Sequence, residues 1–273
     1  MLSASKSATN RDPVASAFRR KILVGRKILF RRKIQPITDG LLAVLLAPTC
    51  AACDQPLDEP TRGPVCQNCW NSIVAITPPV CESCGDPIPS WRTISIEHQQ
   101  CPRCRRKGTW ISRGRAIGEY EGSLRAIVHA LKYDGRRSVA KQLAARLAVD
   151  GAEVLDGADF VTPVPLHRSR RRKRGFNQAA EIARHLPVPL HHALKRVRAT
   201  PSQTDLPAAT RHANVRNAFA LRRRAQVKGC VVVLVDDVST TGATLDACAR
   251  VLLEGGAREV RALTAARVVS RSR

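Results

Sequence analysis

The sequence predicts an α/β protein, a parallel sheet flanked by helices, preceded by a small Cys-rich module. Three observations carry that reading. From about residue 111 to 273, strand-like and helix-like segments alternate, as they do when crossover helices join the strands of one sheet. Within that stretch Cys230–Val235 is an unbroken β-branched and apolar run, the pattern of a central parallel strand covered on both faces. Ahead of it, residues 50–104 hold eight of the ten cysteines, grouped as four Cys-x-x-Cys pairs.

Taken in order, residues 1–35 carry ten Lys/Arg against one acid and no sustained periodicity, so they read as a disordered basic extension. That arm supplies +9 of a net charge of +24, which predicts attraction to polyanions and says nothing about fold. Residues 36–110 read as the Cys-rich module with a short apolar lead, and 111–273 as the α/β domain. With 44% apolar and 25% charged residues, disorder as the overall state is excluded. The longest apolar run, Leu41–Ala47, is far short of the roughly 18–20 residues that span a bilayer. Ala47-Pro48-Thr49-Cys50 also lacks the small residues of a signal cleavage site. The expected compartment is the cytoplasm, free or attached peripherally at the inner face of the membrane.

In the α/β part, Ser123 is the expected cap of a helix burying Leu124, Ile127, Val128 and Leu131. Ser138 is the expected cap of a second, burying Val139, Leu143 and Leu147. Asp159–Thr162 reads as a short strand ended by Pro163 and Pro165. Asn177–Leu186 reads as a helix, Leu245–Leu253 as another stopped by Gly255-Gly256, and Val260–Leu263 as a last strand.

Each Cys-x-x-Cys turn points two thiolates at one metal, and two such turns complete a tetrahedral all-sulfur site. The natural reading is two structural Zn²⁺ sites in series: Cys50, Cys53, Cys66 and Cys69, then Cys81, Cys84, Cys101 and Cys104. Disulfides fit a cytosolic chain poorly. An iron–sulfur cluster uses the same ligands, and an interleaved pairing of the turns uses the same eight residues; both stay open at this point. Cys230 and Cys248 read as core thiols.

The most informative segment is V-V-V-L-V-D-D-V-S-T-T-G-A-T, from Val231 to Thr244. A strand delivers Asp236 and Asp237 at its C-terminal end, where open α/β sheets place ligands. Ser239, Thr240, Thr241, Gly242, Ala243 and Thr244 then form a hydroxyl-rich turn into a helix, an anion-binding concavity in which Gly242 lets the backbone approach closely. Carboxylates beside a phosphate cradle suit a sugar phosphate. A nucleotidase would need a G-x-x-x-x-G-K-[ST] loop, and the chain has none.

That segment resembles the 5-phosphoribosyl-1-pyrophosphate (PRPP) signature of type I phosphoribosyltransferases. The chain from about Leu41 to Arg267 is similar to the ComF family of competence-related proteins, in which a Cys-rich module joins a phosphoribosyltransferase-like domain. The motifs are the cysteine pairs, L-K-Y-D-G at 131–135, V-P-L-H at 164–167, R-R-K-R-G-F-N-Q at 171–178, the Arg196…Gln203…Arg211…Asn214…Phe219 stretch and the Asp pair. The resemblance implies that Asp236 and Asp237 hold the ribose hydroxyls and Ser239 to Thr244 the 5′-phosphate. It implies that Val164, Pro165, Leu166 and His167 form the pyrophosphate loop, and that Arg196, Gln203 and Arg211 belong to a flexible loop closing over the site. Mg²⁺ would come with PRPP, held mainly by the ligand's oxygens and water. It implies a role in DNA uptake, with single-stranded DNA and DNA-uptake proteins as partners and an unidentified phosphoribosyl acceptor. Residues 1–35 depart from the family pattern.

Residues 168–174 carry six basic side chains in seven positions: Arg168, Arg170, Arg171, Arg172, Lys173 and Arg174. The run follows the pyrophosphate-loop motif and precedes a predicted helix, so it is placed to contact diphosphate or a nucleic-acid backbone. Neutralising about six phosphates gives a log–log salt slope of roughly −5 on duplex and about −4 on single strands. Stacking platforms are scarce; Trp70, Trp91, Trp110 and Tyr133 are the candidates, with core packing expected for the tryptophans.

Overall fold

The computed structural model describes residues 36, 38–88, 99–198 and 217–269. They divide into two compact units: the segment ending at Pro48 with Pro56–Arg62, and Thr49–Gln55 with the chain from Gly63 on. In the smaller unit a helical segment over residues 38–46 is tied to a single 3₁₀ turn, Pro60–Arg62, where the Thr61 N–H donates to Asp39 Oδ1 at 2.8 Å.

The larger unit begins with two short helices, α1 (Gln67–Asn71) and α2 (Pro102–Lys107), each starting one residue after a cysteine. The α/β elements follow: β1 (Gly114–Glu119), α3 (Gly122–Tyr133), α4 (Val139–Asp150), α5 (Ala152–Leu155), β2 (Phe160–Pro163), α6 (Arg168–Arg174) and α7 (Gln178–Ala183). Then come β3 (Leu194–Arg196), β4 (Phe219–Leu221), β5 (Val231–Ser239), α8 (Ala243–Glu254) and β6 (Glu259–Arg267). Four strands form an all-parallel sheet in the order β1-β6-β5-β2, and β3 and β4 form a separate antiparallel pair.

The apolar run at Val231–Val235 is fully buried because alternate side chains serve opposite faces. Val232 and Leu234 join Leu245, Cys248 and Leu252 of α8 and Phe219 of β4 in one core. The opposite face is covered by α4 and α7. The β1 edge is sealed by the Cys-rich module: the Glu119 N–H donates to the Val74 carbonyl at 2.9 Å and the Gly114 N–H to the Glu82 carbonyl at 2.8 Å. Gly114 is required there, since a Cβ would land 2.7 Å from the Ser83 carbonyl oxygen.

Several expectations need correction. Ser123 does not cap α3: Glu121 occupies that position without a side-chain bond, and Ser123 instead shares a 2.7 Å bond with Ser72. Ser138 sits at the start of α4 in αR geometry and makes no capping bond. Asn177 is the cap of α7, accepting from the Ala179 N–H, but that helix ends at Ala183. The last two strands run longer than their apolar cores because the β5–β6 ladder continues through Ser239↔Arg267. The run 168–174 is itself a helix, which charge alone concealed. Cys230 is only partly buried, and Trp110 is 52% exposed rather than core.

Candidate functional site

Where β2 stops decides where the site opens. Its ladder with β5 ends at Pro163↔Val235, and the Val164 N–H adds one last bond to the Val235 carbonyl at 2.9 Å. Pro163 and Pro165 have no N–H to extend it. From Asp236 onward β5 therefore has no strand neighbour on that side, while it stays paired with β6 on the other. This gap between outer and inner strands is where open parallel sheets bind ligands.

Strand alternation sends the two carboxylates to opposite faces. Asp237 pairs with Lys132 of α3, Nζ to Oδ2 at 3.1 Å. Burial pushes the Lys132 ammonium down, but Asp237, together with Tyr120 and Asp236 beside it, holds it above its ordinary range. Asp236 faces the α8 side. Loss of water and the neighbouring Asp237 charge push its carboxyl up to about 8, against the Asp237 N–H, which donates to its Oδ1 at 2.9 Å, and the cations Lys132 and Arg196. Burial and the nearby Arg170 lower the Arg196 guanidinium, whose carbon lies 5.3 Å over the Phe219 ring.

Ser239 closes β5, and residues 240–242 turn into α8, a helix of 12 residues whose N-cap is Gly242. Gly242 has φ +78 and a Cβ there would meet nothing within 4 Å, so the backbone angle rather than a close approach within the protein requires glycine. The Ala243 N–H bonds weakly to Thr241 Oγ1 at 3.4 Å, and Ala243 is buried while Thr240 and Thr244 are partly exposed.

Val164–His167 leaves the sheet at the end of β2, next to Val235 of β5. Val164 is buried and its carbonyl accepts from Asn177 Nδ2 at 3.0 Å; Pro165, Leu166 and His167 are partly exposed. His167 caps α6, its Nδ1 accepting from the Ser169 N–H. On α6, Arg168, Arg171 and Arg172 are exposed, Arg170 and Arg174 half-buried; Lys173 contributes backbone to the helix. Arg174 lies 5.1 Å over the Tyr133 ring. Arg196 and Phe219 are register partners in the β3–β4 pair, so they form the base of the expected flexible loop; Gln203, Arg211 and Asn214, like Trp91, lie outside the described residues. Sequence reasoning missed Lys132. Its signal was present in L-K-Y-D-G, where buried Leu131 leaves its neighbour free to reach the sheet end.

The cysteines gather in two sets, Cys50, Cys53, Cys66 and Cys69, and Cys81, Cys84, Cys101 and Cys104, with the sulfurs of each set within 4.8 Å of one another. The turns thus pair in series. Cys53–Cys66 and Cys84–Cys101 are separated by 3.8 and 3.7 Å. Those spacings match the edge of a tetrahedron with metal–sulfur bonds of about 2.3 Å and exceed any disulfide. Backbone N–H groups of Cys66 and Ala52 aim at Cys50 Sγ from 3.3 and 3.4 Å. Burial raises that thiol, and these donors together with Cys53 bring it down to about 7. A soft, four-coordinate cation fits both sets.

Comparison with known proteins finds two family matches. Residues 41–105 match the double zinc ribbon domain and residues 172–272 the phosphoribosyl transferase domain. The DNA utilization protein YhgH of Escherichia coli K12 is 34% identical over 66% of this chain and 81% of its own length. The chain belongs to the ComF family. Other ComF relatives include Competence protein F of Haemophilus influenzae, 30% identical over 72% of this chain and 87% of its own, and Competence protein ComFC of Bacillus subtilis, 28% over 70% and 79%. Among solved structures, the allosteric regulatory enzyme of purine biosynthesis aligns with 47% of this chain and 25% of its own, at 29% identity and a TM-score of 0.32. A hypoxanthine phosphoribosyltransferase from Staphylococcus aureus aligns with 46% and 61%, at 11% identity and a TM-score of 0.31. At those scores neither alignment adds to the family's phosphoribosyltransferase-like fold. Among the described residues, no helix is long and apolar enough to cross a membrane.

Proposed function

We propose that this ComF protein binds PRPP with Mg²⁺ at the open side of β5 and acts in the handling of incoming DNA. One observation carries the reading: two carboxylates, a hydroxyl-rich turn at the start of a 12-residue helix and the end of β2 all meet at one sheet end. The 5′-phosphate lies on the N–H groups of residues 240–244, where the helix dipole favours an anion. A ribose across the strand end meets both Asp236 and Asp237. Val164–His167 and the first turn of α6 face the diphosphate. Mg²⁺ would arrive with PRPP and would offset the negative charge of the diphosphate, while this chain's own residues hold the ribose and the 5′-phosphate.

Phosphoribosyl transfer needs no nucleophilic side chain. Pyrophosphate leaves C1 with the bonding electron pair, and a nitrogen nucleophile takes its place. The protein's part is positioning and charge stabilisation, with Lys132 holding Asp237 in place from the opposite face. Titrating Mg²⁺ and PRPP calorimetrically into wild type and an Asp236→Asn/Asp237→Asn double variant tests the pocket. Binding by wild type that is lost in the variant is expected. No heat from folded, metal-loaded wild type sinks the PRPP reading.

Each four-cysteine set holds one structural Zn²⁺. Helix α6 favours a nucleic-acid role alongside PRPP: Arg168, Arg171 and Arg172 are exposed. Relatives carry names in DNA utilization and competence. Changing Arg170, Arg171 and Arg172 to Ala is expected to weaken retention of single-stranded DNA and cut the salt slope by about 2. Unchanged retention returns α6 to an ordinary solvated surface.

A further inference from the structure

Arg267, the last residue of β6, is a charged side chain only 2% exposed. Its Nε donates to Asp86 Oδ1 at 2.6 Å and its Nη1 to Ser239 Oγ at 3.2 Å. Asp86 follows Cys84 by two residues, and its backbone carbonyl accepts from the Cys81 N–H at 2.7 Å, so the metal loop sets its position. Its other oxygen accepts from Arg103 Nη2 at 3.3 Å, and the same Nη2 lies 3.6 Å from Cys84 Sγ. Arg103 stands between Cys101 and Cys104. A charge-assisted chain therefore runs from a thiolate of the second set through Arg103, Asp86 and Arg267 to the first residue of the phosphate turn.

A second tie runs beside it. Asp246, in the first turn of α8, accepts from Thr109 Oγ1 at 2.8 Å and from the Trp110 N–H at 2.9 Å. Both donors lie just past α2. The turn is thus held before its start and after its end by residues that belong to the second ribbon or leave it directly. Cys84, Arg103, Ser239, Thr241, Gly242 and Arg267 also line one cleft, and Arg267 Nη2 has no hydrogen-bond partner among the described residues. A guanidinium this buried keeps its place only while a buried carboxylate balances it.

We propose that the 81–104 metal site and the phosphate turn are one linked unit, with Asp86 and Arg267 as positioning residues. Metal in the second site raises the turn's affinity for a phosphate ligand, and a bound phosphate ligand slows loss of that metal. The inference rests on the PRPP reading of the turn. Linkage makes the two effects reciprocal. The first site serves as internal control, because the bonds that tie its side of the module to the α/β domain, Ser72–Ser123, Arg136–Thr49 and Val74–Glu119, do not involve Ser239, Asp246 or the Arg267 side chain.

The test uses the full chain with both sites loaded. Release of metal to a chromophoric chelator is followed with and without PRPP and Mg²⁺, and amide exchange is measured on the peptide spanning 236–244. One of the two equivalents is expected to leave about fivefold more slowly with ligand. Asp86→Asn is expected to keep both metals, lose that ligand dependence and exchange faster at 236–244, with the β2 peptide unchanged and Asp86→Glu restoring part of the effect. Should Asp86→Asn fail to fold, Arg103→Gln, whose side chain is less buried, takes its place. Ligand-independent release of both equivalents while calorimetry registers PRPP binding overturns the proposal. Absence of PRPP heat defeats the PRPP reading separately, and exchange then decides the linkage. A Cys104→Ser chain retaining one metal equivalent must exchange faster at 236–244; unchanged exchange there overturns it.

Discussion

The ribbons and the α/β domain are ordered by different forces. At the second ribbon the buried cluster consists of Cys81, Cys101 and Cys104, with Cys84 and Ile88 against it. The helices of the two ribbons, one in each, are five and six residues long, below the length at which helix propagation outweighs nucleation. In the α/β domain, Val232, Leu234, Leu245, Leu252 and Phe219 close a continuous apolar core over a parallel ladder. The comparison teaches that where the chain buries little apolar area, four converging thiolates take the place of a core, and order that rests on them is expected to depend on a metal.

The sharpest way to break the comparison is to remove the metal. Metal analysis is expected to give about two Zn²⁺ per chain, and a strong chelator to open residues 50–107 to protease while the α/β helices persist in far-UV circular dichroism. A brown, iron-containing preparation contradicts the zinc assignment, and simultaneous loss of both regions contradicts the separation of forces. The complementary cut is Leu234→Ala. It leaves a cavity in the core and is expected to cost about 2–5 kcal/mol in denaturant unfolding with zinc stoichiometry unchanged.

A smaller effect distinguishes the site from both scaffolds. Asp236 is raised to about 8 by loss of water and by Asp237. Ribose hydroxyls donate best to the ionised carboxylate, so PRPP affinity is expected to climb by up to about tenfold per pH unit between pH 6 and 8 and level off above. Stability moves the other way. Between the ordinary value of 3.8 and about 8 the native state holds a proton that the unfolded chain has released, so stability falls as pH rises through that window. Asp236→Asn removes both dependences; a pH profile unchanged in that variant refutes the assignment.

Much of this was legible in the residues themselves. The run Val231–Val235 has the composition of a strand covered on both faces, and it is the central strand. The spacing of the cysteines anticipated two sites in series, since a turn of four residues aims both thiolates the same way. Less legible was α6: six positive charges conceal a helix whose caps are His167 and the left-handed Gly175, neither a strong local signal. Ser123 had the right chemistry for a cap but sits one residue inside α3, because Ser72 takes its hydroxyl.

By itself the sequence determined most of the α/β elements, the eight clustering cysteines and the Asp-Asp-to-Gly turn after the central strand, because periodicity, Cys-x-x-Cys spacing and turn chemistry act over a few neighbouring residues. Only the tertiary structure decided that Lys132 answers Asp237 and that Arg267 joins Asp86 to Ser239. Asp86 and Arg267 are 181 residues apart. No local propensity encodes such a pair; packing the second ribbon against the end of β6 brings them together, and burial then makes each charge depend on the other.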